Sequence, residues 1–407
     1  MHILIITDSY PPELRSSSGL MAELAEGLSA KGHEVTVATT FPGYNLAEGT
    51  EKREIPPEEI RNGVRVLRVE VPSHHKVPNI IRGINQVFFL PPIFMRGVQR
   101  LVAGPFDTVI VHSPPLPLAL AAAKLARAYN ARFIGNIHDI FPQNGIDLVS
   151  FWQKPLIQLF FGWMERAVYQ KADLLVVPSE NHARYLFEKR NVAQAKLRVV
   201  PHWVGIPAPL ESGENRFRKE WGLTNKFIFF FGGVLGPSQG LEMVVDAAEA
   251  FRNEPDVAFL FAGDGTAKQR LERIVSEKKL QNVVFKPFVG SKEYQELLKE
   301  VDIGIATLTP KNTTPAVPAK LMAYMASALP VVVAVHKESD ALRIVAEAKC
   351  GFTALSSDKE AVAAAFRSAY AARASLKELG ENGFRYAKEH FDKGKIIGAW
   401  ESILRIT

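Results

Sequence analysis

Short apolar runs, each ending in a polar residue or glycine, recur along this chain and are separated by segments whose apolar side chains fall at helical spacing. The runs HILIITD (residues 2–8), EVTVATT (34–40), VRVLRVEV (64–71), DTVIVHS (107–113), RFIGNIHD (132–139) and ADLLVVPS (172–179) read as strands. SGLMAELAEGLSAKGH (18–33) reads as a helix stopped by Gly32. Near-continuous apolar strands alternating with helices imply a mostly parallel sheet covered on both faces. The rhythm restarts after residue 205, with runs at 226–233, 257–265, 282–289, 301–307 and 329–335. Between the two series lies VGIPAPLESGENRFR, whose prolines, glycines and polar residues suit a linker. The expectation is an α/β chain of two Rossmann-like domains, 1–205 and 206–385. A tail, 386–407, follows and carries an amphipathic helix pattern at 394–406.

A chain of 407 residues exceeds one ordinary core, and 47% hydrophobic with 23% charged residues excludes a disordered chain. The single cysteine, Cys350, excludes an internal disulfide framework and fits a reducing compartment. With no HxxxH or HExxH spacing, a metal site is not expected. Asp8 arrives too early, after no basic region, for a signal peptide, and no apolar run reaches the length of a membrane span. The net charge of +6 suits nucleic acid, anionic lipid or phosphorylated substrates without choosing among them. Because no compact Lys/Arg cluster exists, a nucleic-acid partner is not expected.

Open α/β sheets bind ligands beyond the carboxyl ends of their strands. In IFFFGGVLGPSQGLEMVVDAAEAF (228–251) a strand runs into Gly232, Gly233 and Gly236, and a helix pattern follows from about Ser238. Such a turn brings backbone N–H groups close to a phosphate, although tight turning alone explains the glycines equally well. The spacing is neither GxGxxG nor GxxxxGK[ST], which argues against a dinucleotide or P-loop site. Lys320, just after Pro318 at a helix start, suits an anion site better than the helix dipole, though a solvated surface lysine has the same pattern. Glu338 follows an apolar strand by three residues, at the ligand edge. His138 and Asp139 close another strand, where an imidazole beside a carboxylate orients hydroxyls or moves protons, or simply caps the strand. Two aromatic–basic stretches, 76–102 and 150–171, read either as core with a charged rim or as interfacial segments. Phe88, Phe89, Phe94, Arg96, Arg100 and Trp152 are their candidate membrane contacts.

Taken together, DSYPPE (8–13), HSPPL (112–116), HDIFPQ (138–143), VVPHWV (199–204), GGVLGPSQGLEMVVDAA (232–248), FAGDG (261–265) and VPAKLMAYMASALPVVVAV (317–335) resemble, in order, the family-4 glycosyltransferases of GT-B architecture. The similarity is to the bacterial surface-polysaccharide branch that includes L-fucosamine transferases. This resemblance implies two Rossmann-like domains facing a central cleft, an acceptor in the first domain and a nucleotide-sugar donor in the second. It further implies metal-independent transfer with retention, no cofactor, and a final helix crossing back to the first domain. By position, Gly232, Gly233, Gly236, Ser238, Gln239, Gly240, Gly263, Asp264, Gly265, Phe288 and Pro318 would meet the donor. Ser17, Ser18, Gly19 and Ser113 would meet the acceptor, with Lys320, Glu338, His138 and Asp139 in catalysis. The expected donor is a UDP-linked amino or deoxy sugar. The expected acceptor is a glycan or polyprenyl-diphosphate-linked sugar at the cytoplasmic face of the membrane, for O-antigen-like polysaccharide. The chain departs from many relatives: Pro237 and Gln239 replace a basic pair, Pro315 and Ala323 stand where paired glutamates are usual, and His202 replaces an asparagine. Those losses keep two other readings open, a silent nucleotide-sugar binder and a sugar-nucleotide epimerase.

Overall fold

Strand β1 (His2–Ile6) is buried on both faces, with Ile3, Leu4, Ile5 and Ile6 fully covered, and a parallel sheet grows outward from it in a computed structural model of the chain. The structure describes residues 1–43, 46, 51, 54–72, 79–102, 104–147, 154–206 and 215–406. One unit comprises Met1–Val200 with Ile396–Thr407, the other Pro201–Lys395.

The first unit adds β2 (Glu34–Thr40), β3 (Glu58–Arg61), β4 (Val64–Val69), β5 (Thr108–Ser113), β6 (Arg132–Ile137), β7 (Leu174–Val177) and β8 (Leu197–Val199). Their order is β3-β4-β2-β1-β5-β6-β7-β8, and the strand succession reverses between β1 and β5. All pairs are parallel except β3 with β4, a hairpin turned through Asn62 (φ 48°) and Gly63 (φ 79°). That pair of left-handed residues gives the tight turn that matches strand twist. Periodicity leaves β3 and β8 unmarked: β3 is a polar edge strand, EEIR, and β8 has only three residues.

The second unit contains β9 (Phe227–Gly232), β10 (Val257–Ala262), β11 (Val283–Lys286), β12 (Ile303–Thr307), β13 (Val331–Val335) and β14 (Gly351–Leu355), all parallel, in the order β11-β10-β9-β12-β13-β14. Successive side chains of β9 point to opposite faces. Ile228 and Phe230 pack with Leu321, Tyr324 and Met325 on one side, while Phe229 and Phe231 pack with Phe259, Phe261 and Phe366 on the other. The sheet therefore has two cores, one per face, and its strand succession reverses between β9 and β12.

No helix among the described residues is long and apolar enough to cross a membrane. The last helix, Lys393–Leu404, buries Ile396, Ile397, Trp400, Ile403 and Leu404. From Ile396 onward it belongs to the first unit. There Gly27 leaves room for Ile397, Lys31 pairs with Glu401 at 2.9 Å, and the Arg132 guanidinium donates to the Ile403 carbonyl at 3.2 Å. Trp400 is 1% exposed, so truncating it empties a large space. Trp400→Ala should lower the unfolding free energy by about 3–5 kcal/mol. Urea denaturation followed by circular dichroism checks this, and a loss below about 1 kcal/mol would show that the helix is dispensable.

Candidate functional site

In the second unit the strand succession reverses between the paired strands β9 and β12, and the chain turns there as it leaves β9. Gly233 (φ 124°) takes a backbone conformation that side-chain-bearing residues rarely adopt. Its N–H donates to the Ala262 carbonyl at 2.9 Å, and the Leu235 N–H donates to the Asp264 carbonyl at 2.8 Å. These bonds zip the turn to the Gly263–Asp264–Gly265 loop that follows β10. The contact is so close that a Cβ on Gly263 would collide with the Gly233 carbonyl, so only glycine fits there.

Beyond the turn the structure corrects the sequence reading. No helix begins at Ser238. Pro237–Gln239 form a single 3-10 turn, Gly240 turns back with φ 62°, and the helix starts at Glu242. The N–H groups of Gln239 and Gly240 close that small turn, donating to Gly236 and Pro237. Within Gly233–Gly240 the donors left for an outside anion therefore narrow to Val234, Gly236 and Ser238, among the described residues. The turn is braced from β12: Thr307 donates its hydroxyl to the Gln239 carbonyl at 2.8 Å, and the Thr309 N–H donates to the Ser238 carbonyl at 2.9 Å.

Lys320 enters this same turn from the helix Ala319–Ala326, capped by buried Pro318. Its Nζ lies 3.4 Å from Gln239 Oε1 and 4.6 Å from the Phe231 ring centroid, and its end flanks Gly233. The ring face and one amide oxygen are weak partners for an ammonium. Among the described residues no carboxylate pairs with it, and burial pushes its pKa down to about 8. About one helical turn on, fully buried Tyr324 accepts the Gly232 N–H at 3.3 Å and fixes the strand end. Glu338 follows β13 on a half-buried bend, where its N–H donates to His336 at 3.4 Å. The Ser339 hydroxyl, donating to the Ala316 carbonyl at 2.5 Å, ties that bend to the segment leading into Pro318 and Lys320. Phe288 stands apart, 54% exposed beyond edge strand β11.

The first unit has its own polar edge at the β1/β5 reversal. His138 donates its N–H to the Ser113 carbonyl at 3.0 Å, and its ring stands edge-on to buried His112, with centroids 4.4 Å apart. Burial pushes the His112 pKa down to about 4, so that imidazole is neutral near pH 7. Asp139 is exposed and accepts from Asn144 at 3.1 Å. Ser113 is buried, Ser17 shares a hydrogen bond with Ser9 at 2.9 Å, Ser18 is fully buried and Gly19 is exposed. Asp8 accepts from Arg15 at 2.9 Å, yet its Oδ1, His112 Nδ1, Asn136 Nδ2 and Ser18 Oγ are buried without partners. Buried polar atoms are rarely left so, and several orphans along one sheet edge suit a hydroxyl-bearing ligand. The sequence points to Ser17, Ser18, Gly19 and Ser113 but not to the roles of His112, Arg15 and Asn136. Their signal is only that each sits near the polar end of an apolar strand.

The interfacial residues divide. Phe88 and Phe89 are 64% and 49% exposed, on a π-helical turn (Asn85–Phe89) just ahead of Pro91 and Pro92. Arg96 and Arg100 are exposed on the helix Leu90–Leu101. Phe94 is not a membrane contact. It is completely buried, sharing with Leu90 and Val98 the helix face that packs on the sheet. Trp152 lies outside the described residues. On the helix Lys154–Lys171, Leu159, Phe160 and Trp163 are exposed.

Residues 20–203 match the model of the glycosyl transferase 4-like domain, and residues 225–372 match that of the glycosyl transferases group 1. A colanic acid biosynthesis glycosyl transferase named for Escherichia coli K12 is 27% identical over 80% of this chain and 81% of its own. A GDP-mannose-dependent alpha-mannosyltransferase of Mycolicibacterium smegmatis is 24% identical over 68% of this chain and 66% of its own. Sucrose-phosphate synthase from Thermosynechococcus elongatus superposes with a TM-score of 0.77 at 16% identity, over 99% of this chain and 98% of that one. The Anabaena protein HepE, solved in complex with UDP, superposes with a TM-score of 0.71 at 17% identity, over 99% of both chains. With two glycosyltransferase models matched in tandem across two parallel-sheet domains, the chain is a nucleotide-sugar-dependent glycosyltransferase of GT-B architecture.

Proposed function

We propose that this enzyme moves a sugar, with retention, from a UDP-linked amino or deoxy sugar to a polyprenyl-diphosphate-linked or glycan acceptor in surface-polysaccharide synthesis. Its motifs resemble those of the L-fucosamine-transferase branch. The observation that carries the proposal is the ammonium of Lys320, placed against the glycine turn at the β9/β12 reversal with no counter-ion among the described residues. As the bond between the anomeric carbon and the phosphate oxygen breaks, negative charge grows on the departing diphosphate. Lys320 and the Val234, Gly236 and Ser238 N–H groups meet that charge, and preorganised donors of this kind stabilise a transition state without reorganising. The acceptor oxygen forms the new bond, and its proton passes to the departing phosphate. Glu338 positions donor hydroxyls, and His138 with Asp139 positions those of the acceptor. Lys320 takes the charge-neutralising role usually given to a metal, and no cofactor takes part. UDP is supported by the Anabaena likeness, whereas the mycobacterial relative is named for GDP-mannose. Phe88, Phe89, Leu159, Phe160 and Trp163, with Arg96 and Arg100, support docking on the cytoplasmic face of the membrane.

Lys320→Ala should cut turnover by about 100- to 1000-fold with the circular dichroism spectrum unchanged. Wild-type turnover in that variant would remove Lys320 from the mechanism, and a rate abolished by EDTA would overturn the metal-free reading. The pH dependence has a definite sign. The free enzyme loses the Lys320 proton near pH 8, while a bound diphosphate holds it on. Affinity for UDP is therefore expected to be highest below that pH and to fall above it by up to about tenfold per unit. Lys320→Met should flatten the profile in calorimetric titrations. In flotation with anionic liposomes, Phe88→Ser/Phe89→Ser should reduce bound protein several-fold; equal flotation of variant and wild type would count against this membrane face.

A further inference from the structure

A pocket that shares Arg15, Ser18 and Gly19 with the polar edge described above opens in the first unit where the β1 end leads into the helix Ser16–Ala30. Its volume is about 470 Å³, and Pro12, Glu13, Arg15, Ser18, Gly19 and Arg61 are among the residues that line it. Arg61 closes β3, the edge strand absent from the sequence reading, and its half-buried Nε has no hydrogen-bond partner. Among the described residues Arg61 forms no ion pair. The fully buried Ser18 hydroxyl is likewise unpartnered. The helix opens with no acidic residue in its first turn and no side-chain cap, leaving its first N–H groups to an outside acceptor. The other charges are accounted for. Arg15 holds Asp8 at 2.9 Å and Glu13 at 3.6 Å, and burial pushes Glu13 toward its neutral form. Behind the wall, fully buried Arg68 donates to the Pro11 carbonyl at 2.9 Å and the Pro56 carbonyl at 3.1 Å and pairs with Glu59, which makes the pocket rigid. A Cβ on Gly19 would meet open space, so the pocket's mouth is unobstructed there.

We propose that this pocket binds a phosphate or diphosphate group, with Arg61, Ser18 and the opening N–H groups of the Ser16–Ala30 helix as its donors. A guanidinium without a carboxylate, a buried hydroxyl without an acceptor and a bare helix end share one complement, a polyvalent oxyanion. The volume exceeds that of the oxyanion alone and leaves room for the group attached to it. The identification of that anion with the acceptor's own phosphate rests on the glycosyltransferase reading above; the site itself does not.

The test uses the full chain in a Lys320→Ala background, which silences the donor turn, and titrates inorganic pyrophosphate and farnesyl diphosphate calorimetrically. Saturable binding is expected. Adding Arg61→Gln should weaken it at least about tenfold, and Arg61→Lys less, because an ammonium keeps the charge but not the fork. Gly19→Phe, whose ring would fill the mouth, should abolish farnesyl diphosphate binding even if Arg61→Gln fails to fold. Farnesyl diphosphate binding much more tightly than pyrophosphate assigns the site to a lipid-linked phosphate; equal affinities assign it to free phosphate. Affinity unchanged by both Arg61→Gln and Gly19→Phe, or binding absent from Lys320→Ala itself, overturns the pocket. Failure of the donor reading would appear elsewhere, as the absence of a UDP-induced thermal shift in the wild type.

Discussion

An ammonium group buried with only an aromatic face and an amide oxygen for company is the constraint on which the second unit turns. Lys320 gives up water and gains no carboxylate, so burial disfavours its charged form. A lysine already paired would be better compensated, and any incoming anion would first have to displace its partner. The glycine turn exists in the shape it does to admit this side chain. Gly233 takes a conformation that frees the space Lys320 fills, and the Gly263 loop locks that conformation from the neighbouring strand. Tyr324 and Thr307, neither of which need touch a ligand, hold the two ends of the turn at fixed spacing. The strain and the desolvation are concentrated in a few residues, while the phenylalanine-rich layers around them carry the stability.

Much of the architecture was legible because parallel strands are buried on both faces and so read as unbroken apolar runs. Ile3 to Ile6 and Phe229 to Phe231 are such cases. What escaped was what burial does not write into composition. β3 is polar because it lies on an edge, and its hairpin announces itself only through Asn62–Gly63. β14, also an edge strand, is only partly buried and lacks the density of its neighbours. The start of the helix after β9 was misplaced because Ser238 and Gly240 carry cap-like signals that the 3-10 turn uses instead.

The site was legible in kind more than in detail. Strand-end polarity singled out Glu338, His138 and Ser113 as candidates, and the helix start after Pro318 singled out Lys320. Spacing could not say that the Gly233, Leu235, Gln239 and Gly240 amides are already engaged, because backbone partners are set by tertiary packing. Nor could it separate Phe94 from Phe88. Both lie in one aromatic run, but Phe88 sits exposed on the π-helical turn and Phe94 is buried on the α-helix that follows it. His112 and Arg61 depend on contacts between segments far apart in sequence, and no local pattern encodes them.

The final helix has a consequence for how such a chain is made. Residues from Ile396 onward complete a unit whose other members end at Val200, so the intervening Pro201–Lys395 behaves as a long insertion within it. On a ribosome the second sheet can fold as soon as it emerges, whereas the first must wait, with the seat for Trp400 unfilled, until residues 396–404 have been made. A chain broken off before Ile396 therefore keeps its second unit whole, while the first bears an exposed apolar seam for proteases and chaperones to find.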